Sequence, residues 1–212
     1  DGVTLFSDVS FDIQRTDKIL FVSKNQLAVH AFFDIICGES KADTGIFEWG
    51  TTITKAYLPN NNHQFFQSNY NLMDWLRQFV PDTVKDADED FLRGFFGKML
   101  FNGEELNKKT SVLSGGEKVR CMLSKMMLQN PNCIILDEPT NHLDLESITA
   151  FNNGALDFPG IILMSTHDLA FANSVCNRII ELTPNGIIDR ICNYEEYLEN
   201  ERVHELKVEM YA

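Results

Sequence analysis

The stretch Cys133-Ile134-Ile135-Leu136-Asp137-Glu138 runs from a short continuous apolar segment straight into two carboxylates. Apolar residues without alternation suit a strand covered on both faces. In open α/β sheets, ligands bind just outside the carboxyl ends of such strands. There, Asp137 suits a Mg²⁺ ion carrying nucleotide phosphates, and Glu138 can orient and polarise a water. Strands often end in acids, so the surrounding sequence has to decide.

Outward from this strand, the pattern alternates. Downstream come a helix near Leu145–Leu156, the apolar run Ile161–Met164, another helix, and then Arg178–Leu182 and Gly186–Ile188. Upstream, Ile19–Val22 is a second buried-type run, and Ala31–Ile36 predicts a helix ending near Gly38. Val9, Phe11 and Ile13 alternate as in a half-buried strand, and extended segments are expected around Gly45–Phe47 and Ala56–Leu58. Strand–helix alternation with apolar strands predicts an α/β fold on a mostly parallel sheet. Residues 60–70 turn rich in Asn, Gln and Phe, and from Leu72 to Lys109 the pattern is helical. The expected division is a core of 1–64 and 116–192, an inserted helical subdomain of 65–115, and a C-terminal extension of 193–212.

Leu113-Ser114-Gly115-Gly116-Glu117 precedes an amphipathic helix on which Val119, Met122, Leu123, Met126 and Met127 share a face. Ser114 as N-cap and Glu117 three residues on form a capping box. Two glycines in a helix start cost stability, so capping alone does not explain them. Glycines admit a phosphate close to the backbone, and a helix N-terminus attracts anions. The segment therefore predicts a clasp for a γ-phosphate.

Leu113–Glu117, then Leu136-Asp137-Glu138-Pro139-Thr140-Asn141-His142-Leu143-Asp144, then Ser165-Thr166-His167-Asp168, resemble the motif order of ATP-binding cassette ATPases. The Asn141–Asp144 variant and the tail Asn193–Leu198 look like family F of that superfamily, and Asn71 to about Asn200 is similar to the second cassette of its YbiT/YkpA-like branch. The resemblance implies a RecA-like P-loop NTPase core with a parallel sheet, a small antiparallel β part and an inserted α-helical subdomain. It also implies ATP and Mg²⁺ as cofactors, and a second cassette in the same chain forming a head-to-tail pair. Ser114, Gly115, Gly116 and Glu117 would then contact ATP held by the opposing cassette, with Asp137 as magnesium ligand and Glu138 as catalytic base. Asp144 would be the residue communicating across the pair, and His167 the switch histidine at the γ-phosphate. A bland strand-end role stays open for His167, and a helix-capping role for His142. Family F further implies a cytoplasmic protein acting on the ribosome. A transporter ATPase subunit and a non-catalytic dimerisation or regulatory module are the alternatives.

One motif departs. A phosphate loop G-x-x-x-x-G-K-[ST] belongs after a strand and at the start of a helix. The segment placed there is Ser23-Lys24-Asn25-Gln26-Leu27-Ala28-Val29-His30. Ser23 and Ala28 replace glycines, Val29 the lysine and His30 the magnesium-binding hydroxyl, while Asn25 matches the usual loop centre. Each lost glycine that needs positive φ costs about 1–3 kcal/mol. The lost lysine removes a charge-assisted contact worth about 1.5–3 kcal/mol. At about 1.4 kcal/mol per decade, ATP affinity at this loop should fall by several orders of magnitude. Asn60 stands where the next loop's metal-binding glutamine is expected, one methylene shorter. A chain with an intact clasp and a failed loop is expected to complete its partner's ATP site and to hydrolyse poorly alone.

Bulk properties bound the rest. The 212 residues carry a formal charge of −13, which disfavours direct binding to nucleic acid. A hydrophobic content of 44% supports a packed core. The five cysteines lack C-x-x-C spacing, which suits buried thiols in a reducing compartment. No apolar run approaches membrane-spanning length. Because the sequence starts at Asp1 without an initiator Met, it is expected to be a piece of a longer chain.

Overall fold

The computed structural model describes residues 2–84 and 87–212. The apolar runs form strands β1 (Lys18–Val22), β2 (Lys55–Leu58), β3 (Cys133–Asp137), β4 (Ile161–Ser165), β5 (Arg178–Thr183) and β6 (Gly186–Arg190). They join in one sheet, ordered β2-β3-β4-β1-β5-β6. All neighbours are parallel except the hairpin pair β5–β6, which supplies the antiparallel part. Strand pleating explains the two cores, because successive side chains point to opposite faces. Ile19, Phe21, Ile135 and Leu163 face one way, onto Phe32, Phe33 and Ile36 of helix α1 (Gln26–Cys37). Leu20, Leu136, Ile162 and Met164 face the other way. That second core also holds Val119 and Met122 of α4 (Gly115–Gln129), Phe151 of α5 (Leu145–Asp157) and Phe171 of α6 (Leu169–Val175).

Helix α1 begins earlier than its apolar residues suggest. Asn25 takes an extended backbone and its side chain accepts the Leu27 N–H, which starts the helix at Gln26. It stops at Gly38, whose φ of 89° lies in the left-handed region that glycine tolerates.

Between β2 and α4 the expected helical stretch is broken. Among the described residues there, α2 (Leu72–Arg77) and α3 (Glu89–Lys98) are the α-helical parts, capped by Asn71 and Asp88. Leu100, at φ 61°, ends the α3 segment, and short 3₁₀ turns follow at Glu105–Asn107 and Thr110–Val112. Trp75 anchors this part: its indole donates to the Phe65 carbonyl at 2.7 Å and its ring stacks on Phe66 at 5.0 Å.

The stretches expected as strands at 9–13 and 45–47 pair with nothing among the described residues. Val9, Phe11 and Ile13 still rest against the α1-side core. Ile46 is fully exposed and Phe47 more than half so. Alternation marks which face is apolar, but a strand also needs a neighbour to accept its ladder bonds.

Helices α7 (Tyr194–Glu199) and α8 (Glu201–Met210) close the chain against the β5–β6 side. Tyr197 is wholly buried there, its hydroxyl on Glu181 at 2.8 Å, and the Lys207 ammonium reaches the same carboxylate at 2.8 Å.

Candidate functional site

Parallel pairing brings the carboxyl ends of β1, β2, β3 and β4 to one edge of the sheet. The register sets Asp137 of β3 directly beside Ser165 of β4. The Ser165 hydroxyl donates to Asp137 Oδ1 at 2.7 Å. Glu138 follows in the left-handed region, at φ 54°, held there by its N–H donating to the Ser165 carbonyl and hydroxyl. A non-glycine residue kept in that conformation stores strain, which is common at functional sites.

Both acids are almost completely buried. Burial pushes the Glu138 carboxyl above the usual range, and Asp137 adds to this, against the lowering by His167 and its backbone N–H. A carboxylate whose affinity for a proton is raised in this way is a stronger proton acceptor than an exposed one. The His167 N–H donates to Glu138 Oε2 at 3.2 Å, and the largely exposed imidazole lies 3.5 Å from Oε1.

The clasp segment adopts the expected capping box. Ser114 Oγ accepts the Glu117 N–H at 3.2 Å, and Glu117 accepts the Ser114 N–H at 2.8 Å. Burial raises the Glu117 carboxyl, but bonds from Lys108 and Ser114 outweigh this and hold it below its ordinary value. Ser114→Ala should therefore cost about 1 kcal/mol of unfolding free energy by chemical denaturation. A loss under a few tenths would mean that the cap does not hold the helix start.

The glycines have a packing role that sequence reasoning missed. A Cβ on Gly116 would lie 2.5 Å from the His142 carbonyl oxygen, and one on Gly115 would lie 3.2 Å from the His142 ring. The turn 139–143 thus lies against the clasp within the same chain, with His142 at φ 69°. Asp144 caps α5 by accepting the Ser147 N–H at 2.8 Å.

A cavity of about 330 Å³ opens between these parts, lined by Asn60, His63, Gly115, Lys118, Asp137 and Glu138 among others. Asn60 therefore lines the same cavity as both acids. The loop 23–30 contributes nothing to that lining. Ala28 and Val29 turn inward, Val29 into the α1-side core. Ser23 and Asn25 serve the loop itself, Ser23 Oγ accepting the Asn25 N–H at 3.3 Å. His30 and Gln26 reach the acids instead: His30 Nδ1 lies 2.6 Å from Asp137 Oδ2, and Gln26 Nε2 donates to Glu138 Oε1 at 2.6 Å. These residues do not fit a magnesium–nucleotide complex in this chain's own loop. The lysine is missing, and protein donors already engage the oxygens a cation would need. Among the described residues no group of three His, Cys, Asp or Glu side chains is placed to hold a metal ion, and no helix is long and apolar enough to cross a membrane.

The family model described as ABC transporter matches residues 6–141. The chain is 56% identical over 213 residues to the uncharacterized ABC transporter ATP-binding protein YkpA of Bacillus subtilis, covering 100% of this chain and 39% of that protein. It is 29% identical over 200 residues to the energy-dependent translational throttle protein EttA of Escherichia coli, covering 91% of this chain and 35% of that one. The chain thus spans under two fifths of these relatives' length. A solved ATP-binding subunit of an ABC transporter superposes with a TM-score of 0.76 at 20% identity, covering 99% of this chain and 95% of that one.

Proposed function

The chain belongs to the ATP-binding cassette (ABC transporter) family, and from that footing we propose that it is one half of a two-cassette protein of family F. In this reading it is the second cassette, of the YbiT/YkpA-like branch, and it pairs head-to-tail with the other half. It presents Ser114–Glu117 to ATP and Mg²⁺ held by that half, and its own loop binds nucleotide poorly. Asp144 and His142 link the clasp to the pairing surface. The whole protein works in the cytoplasm on the ribosome, where ATP-driven closure and opening time its binding and release.

One observation carries the reading: a fully formed clasp at the start of α4 stands beside a loop whose side chains are already engaged with Asp137 and Glu138. The similarity to a translational throttle protein supports the ribosomal part. In the full-length protein, replacing Ser114 and Gly115 together should slow ATP turnover about tenfold, the effect of one lost charge-assisted contact. Unchanged turnover would make the clasp vestigial and leave a non-catalytic dimerisation module. Co-sedimentation of the full-length protein with ribosomes, stronger with ATP than with ADP, tests the translational part. Equal recovery in both nucleotides would count against it.

A further inference from the structure

The degenerate loop does more than lack a lysine. Asp137 has both oxygens engaged, Oδ1 by the Ser165 hydroxyl at 2.7 Å and Oδ2 by His30 Nδ1 at 2.6 Å. Glu138 is engaged likewise, Oε1 by the Gln26 amide at 2.6 Å and Oε2 by the His167 N–H at 3.2 Å. Lys24, the loop's own cation, is drawn away from the acids. Its ammonium lies 4.0 Å over the Tyr211 ring, and its backbone N–H donates to the Tyr211 hydroxyl at 2.9 Å. That hydroxyl donates in turn to the Leu182 carbonyl at 3.2 Å, so the residue just after α8 ties the loop to β5. Among the described residues, no buried polar side-chain atom is left without a partner.

We propose that the loop is a built-in plug, in which the His30 imidazole takes the cation's place on Asp137 and the Gln26 amide takes the water's place on Glu138. Tyr211 holds the remaining cation aside. A ring nitrogen at hydrogen-bond distance occupies the direction along which a divalent cation would approach at about 2.0–2.1 Å from that oxygen. The half-site is therefore shut to divalent cations whether or not nucleotide is abundant, and opening of the pair is left to the opposite site. This rests on the reading of the loop as the disabled half of a cassette pair and supplies its physical cause.

Mn²⁺ is a suitable probe, because carboxylate oxygen sites that take magnesium also take manganese, and it broadens nearby NMR signals. In the wild-type chain the His30 ring signals should broaden no more than those of exposed His204 up to ~1 mM Mn²⁺, the weak end of carboxylate-site affinities. In His30→Ser, Mn²⁺ binding followed by electron paramagnetic resonance should tighten by at least ~10-fold, the scale of one lost competing contact. Selective broadening of His30 in the wild type at lower Mn²⁺ overturns the plug, and so does equal affinity in the two forms. If His30→Ser does not fold, the wild-type broadening alone decides. None of these readouts depends on turnover, so failure of the clasp and failure of the plug are distinguished.

Discussion

Lys207→Met should lower the unfolding free energy by about 3 kcal/mol in chemical denaturation, the low end of the range for removing one partner of a buried ion pair. Glu181 is 3% exposed, and one of its oxygens accepts both the Tyr197 hydroxyl and the Lys207 ammonium. Without the ammonium, the Glu181 side chain stays buried beside β5 with neutral hydroxyl donors in place of the cation. Burial, followed by the nearby Glu181, pushes the Tyr197 hydroxyl well above its ordinary range, so it stays a neutral hydrogen-bond donor, and a phenol has no cationic form to replace the ammonium. The triple replacement Glu181→Leu, Lys207→Met and Tyr197→Phe should recover most of the loss, since it leaves neither a charge nor the Tyr197 hydroxyl unpaired. A single-variant loss below about 1 kcal/mol would place the pair in the class of solvent-screened surface bridges.

Gly116→Ala is expected to cost about 1–3 kcal/mol, the range for forcing extra atoms into a packed site. The new methyl would meet the His142 carbonyl at 2.5 Å, and a backbone oxygen cannot rotate out of the way as a side chain can. Relief requires the clasp and the turn 139–143 to separate, so turnover in the full-length protein should fall along with stability. Gly94→Ala is the control. It lies within α3 and a Cβ there meets nothing within 4 Å, so removing glycine's unfolded-state freedom should stabilise by about 0.4–1 kcal/mol. If both substitutions behave alike, the close approach at Gly116 is not what fixes the glycine.

Much of the fold was legible because it is local. The runs Ile19–Val22, Cys133–Asp137 and Ile161–Ser165 carry their strand character in continuous apolar sequence, and each forms a central strand. The capping box at Ser114 and Glu117 spans three residues, and it formed as read. The stretches at 9–13 and 45–47 form no strand, because strand formation depends on a partner, which alternation does not specify. The α2–α3 region is less continuously helical than its apolar spacing suggests, because that spacing registers a buried face in 3₁₀ turns and loops as readily as in a helix.

The site divides along the same line. That Asp137 and Glu138 end a strand, and that the loop after β1 has lost its glycines and lysine, is written in the sequence itself, since each fact concerns neighbouring residues. What took their place is not. His30 meets Asp137 across 107 residues and Gln26 meets Glu138 across 112, contacts made only because β1 and β3 run parallel in one sheet and α1 leaves the same edge. The Gly116–His142 approach likewise depends on how α4 and the turn after β3 pack together. The sequence by itself determined the α/β cassette architecture and the absence of the glycines and lysine of a phosphate loop from residues 23–30, because both are patterns of local residue type. Only the tertiary structure decided that His30 and Gln26 of this loop meet Asp137 and Glu138, because that depends on which distant groups the sheet brings within hydrogen-bonding distance.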